Sequence, residues 1–365
     1  MTVAAAASPD AVTPEWVTDV LLSAGAVLPG ARVSGLRSER IGDGKIGCNV
    51  RVLLEWSSGA AAGPRSVVVK LPAEDMASRM TGVGLGLYVK EVGFYRELAA
   101  QVGCRVPVCY GTYLDPVTGE FALLLEDLAP ASAGDQLAGC SVAEAELAVD
   151  ELARLHASCW ERPMPDWLPP GMAESAGGVG VIYGGLVEGF VEKYRGELTD
   201  EVLAVVAEFG ASFESWGRVA SGGPRSVVHG DFRLDNLLFG APGPEGGSEP
   251  RVAVVDWQTV AQASPMSDLA YFVGAGLRPE TRRAHEGALV DRYLARLRGL
   301  GVEPPPWSEL EPVYRAQTLG GLIMAVLPAM LVAEDTRSRA MFATMAERHA
   351  LHAIDRGALD LVRGR

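Results

Sequence analysis

The segment at residues 227–258, VVHGDFRLDNLLFG…RVAVVDWQ, constrains the fold and the chemistry of this chain more than any other. Asp231 is followed five positions later by Asn236, and two short apolar runs then predict two strands. The second run ends at another carboxylate, Asp256. A wide Gly- and Pro-rich turn at 240–250 separates the runs, so we expect them to pair as antiparallel strands. That pairing would gather Asp231, Asn236 and Asp256 around one cavity.

Two carboxylates and an amide, without a cluster of His or Cys, indicate a hard divalent cation. Mg²⁺ prefers oxygen ligands and usually shares them with substrate phosphates. The remaining carboxylate can then accept a proton from a hydroxyl nucleophile. Kinases divide the work in this way, with an aspartate as the base and an asparagine and a later aspartate on the metal ions. A polar surface turn between two strands is the alternative interpretation.

The motif HGDFRLDN resembles the catalytic loop of the aminoglycoside phosphotransferase and choline kinase superfamily. In that superfamily HGD stands where protein kinases carry HRD, and DW or DxD stands in place of DFG. The resemblance implies that His229 shapes the loop and that Asp231 is the catalytic base. It also implies that Asn236 and Asp256 hold Mg²⁺.

Arg233 lies two residues after the predicted base. Its guanidinium group would either stabilise the transferring phosphoryl group or pair with Asp235, and the sequence favours neither role over the other.

A glycine-rich turn of the form G-x-G-x-x-G is built from Gly42, Gly44 and Gly47. A dinucleotide-binding turn would require a helix after the glycines. Residues 49–56 are instead rich in strand formers and partly alternate, so we predict a strand. A glycine-rich turn between two strands is typical of the loop that covers the phosphates in kinases. A hairpin turn that merely needs glycines is the alternative.

Lys70 lies near the end of a valine-rich segment, 66–71, that predicts a buried strand. A buried ammonium group without an anion would be unstable, so Lys70 needs a partner. The kinase pattern supplies nucleotide phosphates and a glutamate on a helix. Glu91 is the first candidate for that glutamate and Glu97 the second, because both lie on a segment with helical periodicity. A lysine at a strand end with its ammonium group in water is the alternative.

The sequence E-x-x-F-Y-x-E-L-A, which starts at Glu91, is similar to the ecdysteroid-kinase-like branch of the same superfamily. That branch implies a bulky, rather apolar alcohol as the substrate, whereas the acidity of the chain is compatible with cationic substrates.

The resemblance implies an α+β, bilobal, protein-kinase-like fold. Residues 1–127 would form an N-terminal lobe with a small antiparallel β-sheet and one key helix, and residues 128–365 a larger, mostly helical C-terminal lobe. The last strand of the first lobe would lead into a hinge. There the backbone carbonyl of Glu126 and the backbone amide of Leu128 would pair with the adenine base.

Several features of the second half support a helical lobe. A capping box at Ser141 and Glu144 predicts the start of a helix that runs to His156, which we interpret as a hydrogen-bonded core histidine. Further helices are predicted near 181–194 and 200–219. Asp268 lies in the first turns of another helix, and by the resemblance it braces the backbone of the catalytic loop.

The composition excludes several other functions. A net charge of −14 argues against binding to nucleic-acid phosphates, which requires clustered Lys and Arg. The longest apolar stretch, 319–333, is too short to span a membrane and contains Gly and Pro. Five cysteines without metal-type spacing and an N-terminus without a secretory pattern predict a cytoplasmic protein with reduced thiols. We expect a monomer or a homodimer.

Together these patterns predict an ATP-dependent kinase, with GTP as the alternative donor, that phosphorylates a hydroxyl group of a small molecule. The acceptor would resemble an aminoglycoside, an amino alcohol or a steroid. A catalytically silent nucleotide-binding regulator of the same fold is one alternative. A protein kinase is another, but no Arg precedes Asp231 and no A-P-E segment follows Asp256.

Overall fold

The computed structural model describes residues 8–42, 44, 46–57, 63–241 and 251–363. Contacts divide the chain into two units. Unit 1 comprises Met1–Ala100, Val106–Ala129 and Asp256–Gln258, and unit 2 comprises Gln101–Arg105, Pro130–Val255 and Thr259–Arg365. The wide turn predicted at 240–250 lies outside the described residues from position 242 onward.

Unit 1 contains a five-stranded antiparallel sheet. Its strands are β1 (Val33–Ile41), β2 (Gly47–Trp56), β3 (Ser66–Pro72), β4 (Cys109–Asp115) and β5 (Glu120–Glu126). Their spatial order is β1-β2-β3-β5-β4, so β3 is central. Alternating valines such as Val50, Val52, Val67 and Val69 are buried, as the period of two in a half-buried strand requires. The strands expected at 49–56 and 66–71 are therefore present.

Among the described residues of unit 1, three α-helices accompany this sheet, namely α1 (Pro14–Ser23), α2 (Met76–Gly84) and α3 (Leu87–Gly93). The side chain of Thr13 accepts a hydrogen bond from the backbone N–H of Trp16 at 3.2 Å and caps α1, and Pro14 occupies its first turn. Helix α3 continues into a π-helical turn, Phe94–Leu98. Apolar side chains of α1 and the sheet form one core cluster.

Unit 2 is mostly helical. Its helices are α4 (Val142–Ser158), α5 (Ala176–Tyr194), α6 (Asp200–Ala211), α7 (Phe213–Ala220), α8 (Met266–Gly276), α9 (Pro279–Gly299), α10 (Trp307–Gln317), α11 (Gly321–Leu331), α12 (Thr336–Asp355) and α13 (Ala358–Val362). Two small sheets complete the part of unit 2 that the structure describes. Their strands are β6 (Ser132–Ala133), β7 (Ser226–Val228), β8 (Leu237–Ala241), β9 (Arg251–Val254) and β10 (Ala261–Ala263), in the orders β6-β8-β9 and β7-β10.

The structure confirms the expected combination of a small antiparallel sheet with a helical remainder, and it corrects one helix. The segment predicted as one helix at 200–219 is two helices, α6 and α7, which meet at Ser212. The hydroxyl of Ser212 donates to the carbonyl of Glu208 at 3.1 Å and competes with helix continuation. Across the described residues, none of the helices combines the length and the apolar character needed to cross a bilayer.

Candidate active site

Lys70, Glu91 and Asp256 lie together in unit 1 and are called the lysine cluster here. Lys70 is in the central strand β3, opposite Asn49 of β2 and Leu123 of β5. Its ammonium group donates to Oε1 of Glu91 at 2.7 Å and to Oδ1 of Asp256 at 2.7 Å. The Lys70 side chain is only 7% exposed, so both contacts are shielded from water. Glu91, the first of the two candidate glutamates, is therefore the one whose contact with Lys70 the structure shows.

The charges of the lysine cluster stabilise one another. Burial alone would lower the pKa of Lys70, but the negative charges of Asp256 and Glu91 outweigh it and raise that pKa. Burial raises the pKa of Glu91, while attraction to Lys70 opposes the shift. Lys70 therefore remains a cation and can serve as a fixed positive charge for an anionic ligand.

The residues around Asp256 fix its position within unit 1. Asp256 has a φ of 68°, in the left-handed region that non-glycine residues seldom adopt. The next residue, Trp257, stacks on Phe94 with ring centroids 3.8 Å apart and an interplanar angle of 6°. This stack ties the WQ segment after Asp256 to the helical segment that follows Glu91.

Asp231, Tyr271, Asn236 and Arg233 lie together in unit 2 and are called the base cluster here. Oδ1 of Asp231 accepts a hydrogen bond from the hydroxyl of Tyr271 at 2.6 Å. Oδ2 accepts from Nδ2 of Asn236 at 3.0 Å and from Nε of Arg233 at 3.1 Å. A carboxylate offers about four lone-pair positions, and within the described part of the chain these three donors leave one position, on Oδ1, for a further donor.

The loop that carries Asp231 is braced by Asp268, as predicted. Oδ2 of Asp268 accepts from the backbone N–H of His229 at 2.6 Å, and Oδ1 accepts from that of Gly230 at 2.9 Å. Gly230 has a φ of 79°, and a Cβ atom there would lie 2.5 Å from the carbonyl oxygen of Thr259. The glycine of HGD is thus required by close backbone packing.

The two histidines near the loop are both buried and hydrogen-bonded. His156 contacts the hydroxyl of Tyr293 at 2.8 Å and a carboxylate oxygen of Asp268 at 3.4 Å, which fits its interpretation as a core histidine. Nδ1 of His229 accepts from the backbone N–H of Asp231 at 3.2 Å, and its Nε2 lies 3.0 Å from the carbonyl oxygen of Val255. His229 therefore contacts the backbone at both ring nitrogens.

Arg233 binds two carboxylates at once. Besides its contact with Asp231, its Nη1 donates to Oδ2 of Asp235 at 2.7 Å. Asp235 also accepts from Arg337 at 3.1 Å and from the backbone N–H of Gln136 at 3.1 Å. Burial opposes the charge of Arg233, but its acidic neighbours raise its pKa. Of the two roles left open by the sequence, this geometry favours pairing with Asp235.

The residues predicted to hold a metal ion lie in different units. Strands β8 and β9 pair antiparallel, with Leu237 opposite Val254, and the backbone N–H of Val255 donates to the carbonyl of Asn236 at 3.0 Å. The amide nitrogen of Asn236 is directed at Asp231, which leaves the amide oxygen as the atom that can bind a cation. That oxygen and the carboxylate of Asp256 are the ligand type that Mg²⁺ prefers.

The glycine-rich turn and the predicted hinge are also located in unit 1. Gly42 and Gly44 follow β1, and Gly47 begins β2, where a Cβ atom would lie 3.3 Å from Cε of Lys70. Glu126 ends β5; its backbone N–H donates to the carbonyl of Val108 at 2.8 Å. Leu128 is 3% exposed. The glycine-rich turn thus joins two paired strands, as the sequence predicted, and Gly47 lies against Lys70.

Tyr271 and Gln136 contact the loop that carries Asp231, and the sequence did not predict either contact. Gln136 is fully buried, and its amide oxygen accepts from the backbone N–H of Leu234 at 3.0 Å. No local pattern marks Gln136, because it lies almost one hundred residues from the loop that it supports. Tyr271 lies three residues after Asp268 on α8. Residues at this spacing are neighbours on the helix surface, so the spacing could have indicated that Tyr271 also lies near the loop.

Comparisons with known proteins were informative at the level of family and fold. Residues 62–312, more than half of the chain, match the model of the phosphotransferase enzyme family APH. A search of curated proteins found no significant match.

Three solved structures resemble this chain. A candidate aminoglycoside phosphotransferase from Ralstonia eutropha is 18% identical with a TM-score of 0.51, and the alignment covers 93% of this chain and 98% of that one. Plasmodium vivax ethanolamine kinase is 11% identical with a TM-score of 0.50, covering 93% and 84%. Wild-type aminoglycoside 2'-phosphotransferase-IIIa, solved as a GDP complex, is 13% identical with a TM-score of 0.50, covering 93% and 99%.

At these identities the likeness concerns the fold, and the predicted kinase-like fold is confirmed. The resemblance to the ecdysteroid-kinase-like branch stays a prediction. Because the family match spans residues on both sides of the HGD motif and includes Lys70, Asp231 and Asp256, this chain belongs to the phosphotransferase enzyme family.

Proposed function

We propose that this phosphotransferase transfers the γ-phosphoryl group of ATP to a hydroxyl group of a small molecule, with GTP as the alternative donor. The observation that carries the proposal is the environment of Asp231. Its two oxygens accept hydrogen bonds from three donors, two on the braced loop and one on α8, and among the described residues one lone-pair position on Oδ1 stays available. An acceptor hydroxyl that donates there would be oriented for attack and would lose its proton to Asp231 late in the transfer.

The residues of unit 1 are proposed to bind the nucleotide. Lys70, positioned by Glu91, would bind the non-transferring phosphates as a fixed cation. Gly42, Gly44 and Gly47 would cover the phosphates with backbone N–H groups.

At the end of β5, the carbonyl of Glu126 and the amide of Leu128 would bind the adenine edge. In this scheme residues 1–127 act as the nucleotide lobe, and residues 128–365 supply the loop and the helices that wall the acceptor.

Asn236 and Asp256 are proposed as the ligands of Mg²⁺. When bound, the metal ion would neutralise the negative charge that develops on the bridging phosphate oxygens. The amide nitrogen of Asn236 already faces Asp231, so one residue would orient the base through its nitrogen and bind the cation through its oxygen. Arg233 would hold Oδ2 of Asp231 and thereby keep Oδ1 directed to the acceptor.

A screen for ADP release tests this function. The purified chain is incubated with Mg·ATP and with aminoglycosides, choline-type amines, nucleosides, sugars or sterol-like alcohols. We expect one class to give acceptor-dependent ADP and a product heavier by one phosphoryl group. Asp231→Asn serves as the blank, and Asp166→Asn, which changes an exposed aspartate in a loop, serves as the matched control. Stabilisation by Mg·ATP without acceptor-dependent ADP would instead indicate a silent nucleotide-binding regulator.

A further inference from the structure

Asp127 is the middle residue of the predicted hinge, 126–128, and its carboxylate accepts four hydrogen bonds within unit 1. Nε and Nη2 of Arg51 donate to Oδ2 and Oδ1 at 2.8 and 3.1 Å. The hydroxyl of Ser66 donates to Oδ2 at 2.7 Å, and the backbone N–H of Ala129 donates to Oδ1 at 3.1 Å. We call Arg51, Ser66 and Asp127 the hinge clamp. Because Arg51 lies on β2 and Ser66 on β3, the clamp ties the hinge to two strands of the sheet.

The hinge clamp is an ionic contact shielded from water. The side chain of Asp127 is only 3% exposed. Burial alone would raise the pKa of its carboxyl group, but the hydrogen bonds from Arg51 and Ser66 outweigh burial and lower that pKa. Asp127 is therefore an anion at neutral pH. A guanidinium group that binds both carboxylate oxygens fixes direction as well as distance, so the clamp holds Asp127 in one orientation.

The residues on either side of Asp127 are fixed as well. The backbone N–H of Glu126 donates to the carbonyl of Val108 at 2.8 Å, and the carboxylate of Glu126 accepts from the backbone N–H of Val108 at 3.0 Å. The side chain of Leu128 is buried. Among the described residues, no acceptor is bonded to the backbone N–H of Leu128. The hinge therefore presents this donor from a backbone that is held on both sides.

Adenine and guanine present opposite groups at the edge that this hinge would bind. Adenine offers a donor at N6 beside an acceptor at N1, which matches the carbonyl of Glu126 followed by the amide of Leu128. Guanine offers an acceptor at O6 beside a donor at N1. Against the same two hinge groups it would place acceptor against acceptor and donor against donor, and unpaired polar groups cost free energy. Guanine could bind well only if a peptide unit of the hinge rotated.

We propose that the hinge clamp determines the nucleotide specificity of this chain, and that it makes ATP the phosphoryl donor and excludes GTP. The inference rests on the proposed function and specifies its donor. A hinge anchored to two strands resists the peptide rotation that guanine requires, because that rotation would break the contacts of Asp127. Rejection of the wrong ligand by an unfavourable arrangement is a general source of specificity. Arg51, Ser66 and Asp127 are thus positioning residues that act through the hinge backbone.

Binding of ADP and GDP to the wild-type chain tests the nucleotide class without any turnover. Calorimetry in the presence of Mg²⁺ should give a Kd for ADP that is lower than the Kd for GDP by a factor of about ten or more. Equal affinities, or tighter binding of GDP, overturn the inference and leave the kinase function intact. If neither nucleotide binds, the proposed function fails, and the inference fails with it.

A matched pair of arginine substitutions tests the hinge clamp itself. Arg51→Met removes the contact with both oxygens of Asp127. Arg292→Met removes a contact of the same kind in unit 2, where Nε and Nη2 of Arg292 donate to the two oxygens of Asp150 at 2.9 Å each. The two arginines are well matched, because each also donates to a glutamate, Arg51 at 3.3 Å and Arg292 at 3.2 Å.

The two variants should differ in nucleotide preference. We expect Arg51→Met to raise Kd for ADP about tenfold and to leave Kd for GDP within about twofold, so that the preference for adenine narrows. Arg292→Met should keep the wild-type ratio of the two Kd values, because Asp150 lies on α4, away from the hinge. An unchanged ratio in Arg51→Met, or an equal change in Arg292→Met, overturns the role of the clamp.

Melting temperatures show whether each variant is folded. If Arg51→Met is not, Ser66→Ala decides, since it removes one hydrogen bond to Asp127 and leaves the ion pair with Arg51 in place. Ser66→Ala should narrow the preference for ADP in the same direction, by about threefold. A wild-type ratio in Ser66→Ala then overturns the role of the clamp.

Discussion

The lysine cluster of unit 1 and the base cluster of unit 2 depend on different interactions. In the lysine cluster one buried cation is shared by two carboxylates, so its stability depends on the balance of charge. In the base cluster one carboxylate accepts hydrogen bonds from three donors, so its contribution is geometric. Removing one member should therefore destabilise the fold in the first cluster and slow turnover in the second.

Lys70→Met gives the largest expected change in stability. It leaves Glu91 and the partly exposed Asp256 without their cation, and breaking a buried pair in this way lowers the free energy of unfolding by about 3 kcal/mol. Urea denaturation measures the change. Adding Glu91→Gln should recover part of the loss, because it removes the buried charge left unpaired.

Lys90→Met is the matched control for that experiment. Lys90 lies on α3, and no ion pair to it occurs among the described residues, so its removal should change stability by less than about 1 kcal/mol. Equal losses for Lys70→Met and Lys90→Met would contradict the charge-balance interpretation.

His349→Leu tests a buried residue that packs against the base cluster. The ring of His349 stacks on Tyr271 at 5.1 Å, and neither ring nitrogen has a hydrogen-bond partner among the described residues. Burial and, to a lesser extent, the neighbouring charges of His352 and Arg348 lower the pKa of His349 to about 3. Below pH 6.5 the unfolded chain therefore binds a proton that the folded chain does not, and the stability falls as the pH falls towards 3.

The leucine variant removes that proton-binding group. Between pH 7 and pH 5 the wild type should lose about 2 kcal/mol through this group, and the variant should not. Urea denaturation of both proteins at the two pH values checks the difference. Parallel losses in the two proteins would show that His349 does not titrate as its burial requires.

Tyr271→Phe is the smallest of the three changes. It removes a hydrogen bond to a charged carboxylate, worth about 1.5 kcal/mol, so we expect kcat to fall about tenfold with KM for Mg·ATP unchanged. Tyr183→Phe is the control, since its buried hydroxyl donates to the carbonyl of Val206 at 3.0 Å on another helix. The control should lose stability but not kcat. A similar loss of kcat in both variants would assign Tyr271 a structural role only.

The sequence predicted the lysine cluster more completely than the base cluster. A valine-rich strand that ends near Lys70 requires an anion, and helical periodicity leaves Glu91 and Glu97 as candidates. Asp231 and Asn236 were visible because five positions separate them in the HGD motif, whereas the role of Asp268 came from the resemblance to kinase-like folds. Tyr271 and Gln136 were not visible as contacts, since tertiary packing brings them to the loop from distant helices and turns.

Some structural details depend on which of several possible hydrogen bonds a side chain forms, and the sequence does not show which one is preferred. The break at Ser212 arises because its hydroxyl bonds to the helix backbone, although the apolar periodicity continues through it. The sequence left two roles open for Arg233, and in the structure its guanidinium group donates to both Asp231 and Asp235. In both cases the contact that decides the structure is made with a residue nearby in the sequence. Several such contacts are geometrically possible, and the sequence alone does not show which of them forms.

The most direct test of the account measures acceptor-dependent turnover and Mg·ATP affinity together for Asp231→Asn. The substitution keeps the shape of the side chain and removes the proton acceptor. We predict that kcat falls by a factor of about 10³ or more while Kd for Mg·ATP stays within about threefold of wild type. Wild-type turnover in Asp231→Asn, or a loss of turnover explained entirely by lost nucleotide binding, would contradict the assignment of Asp231 as the base.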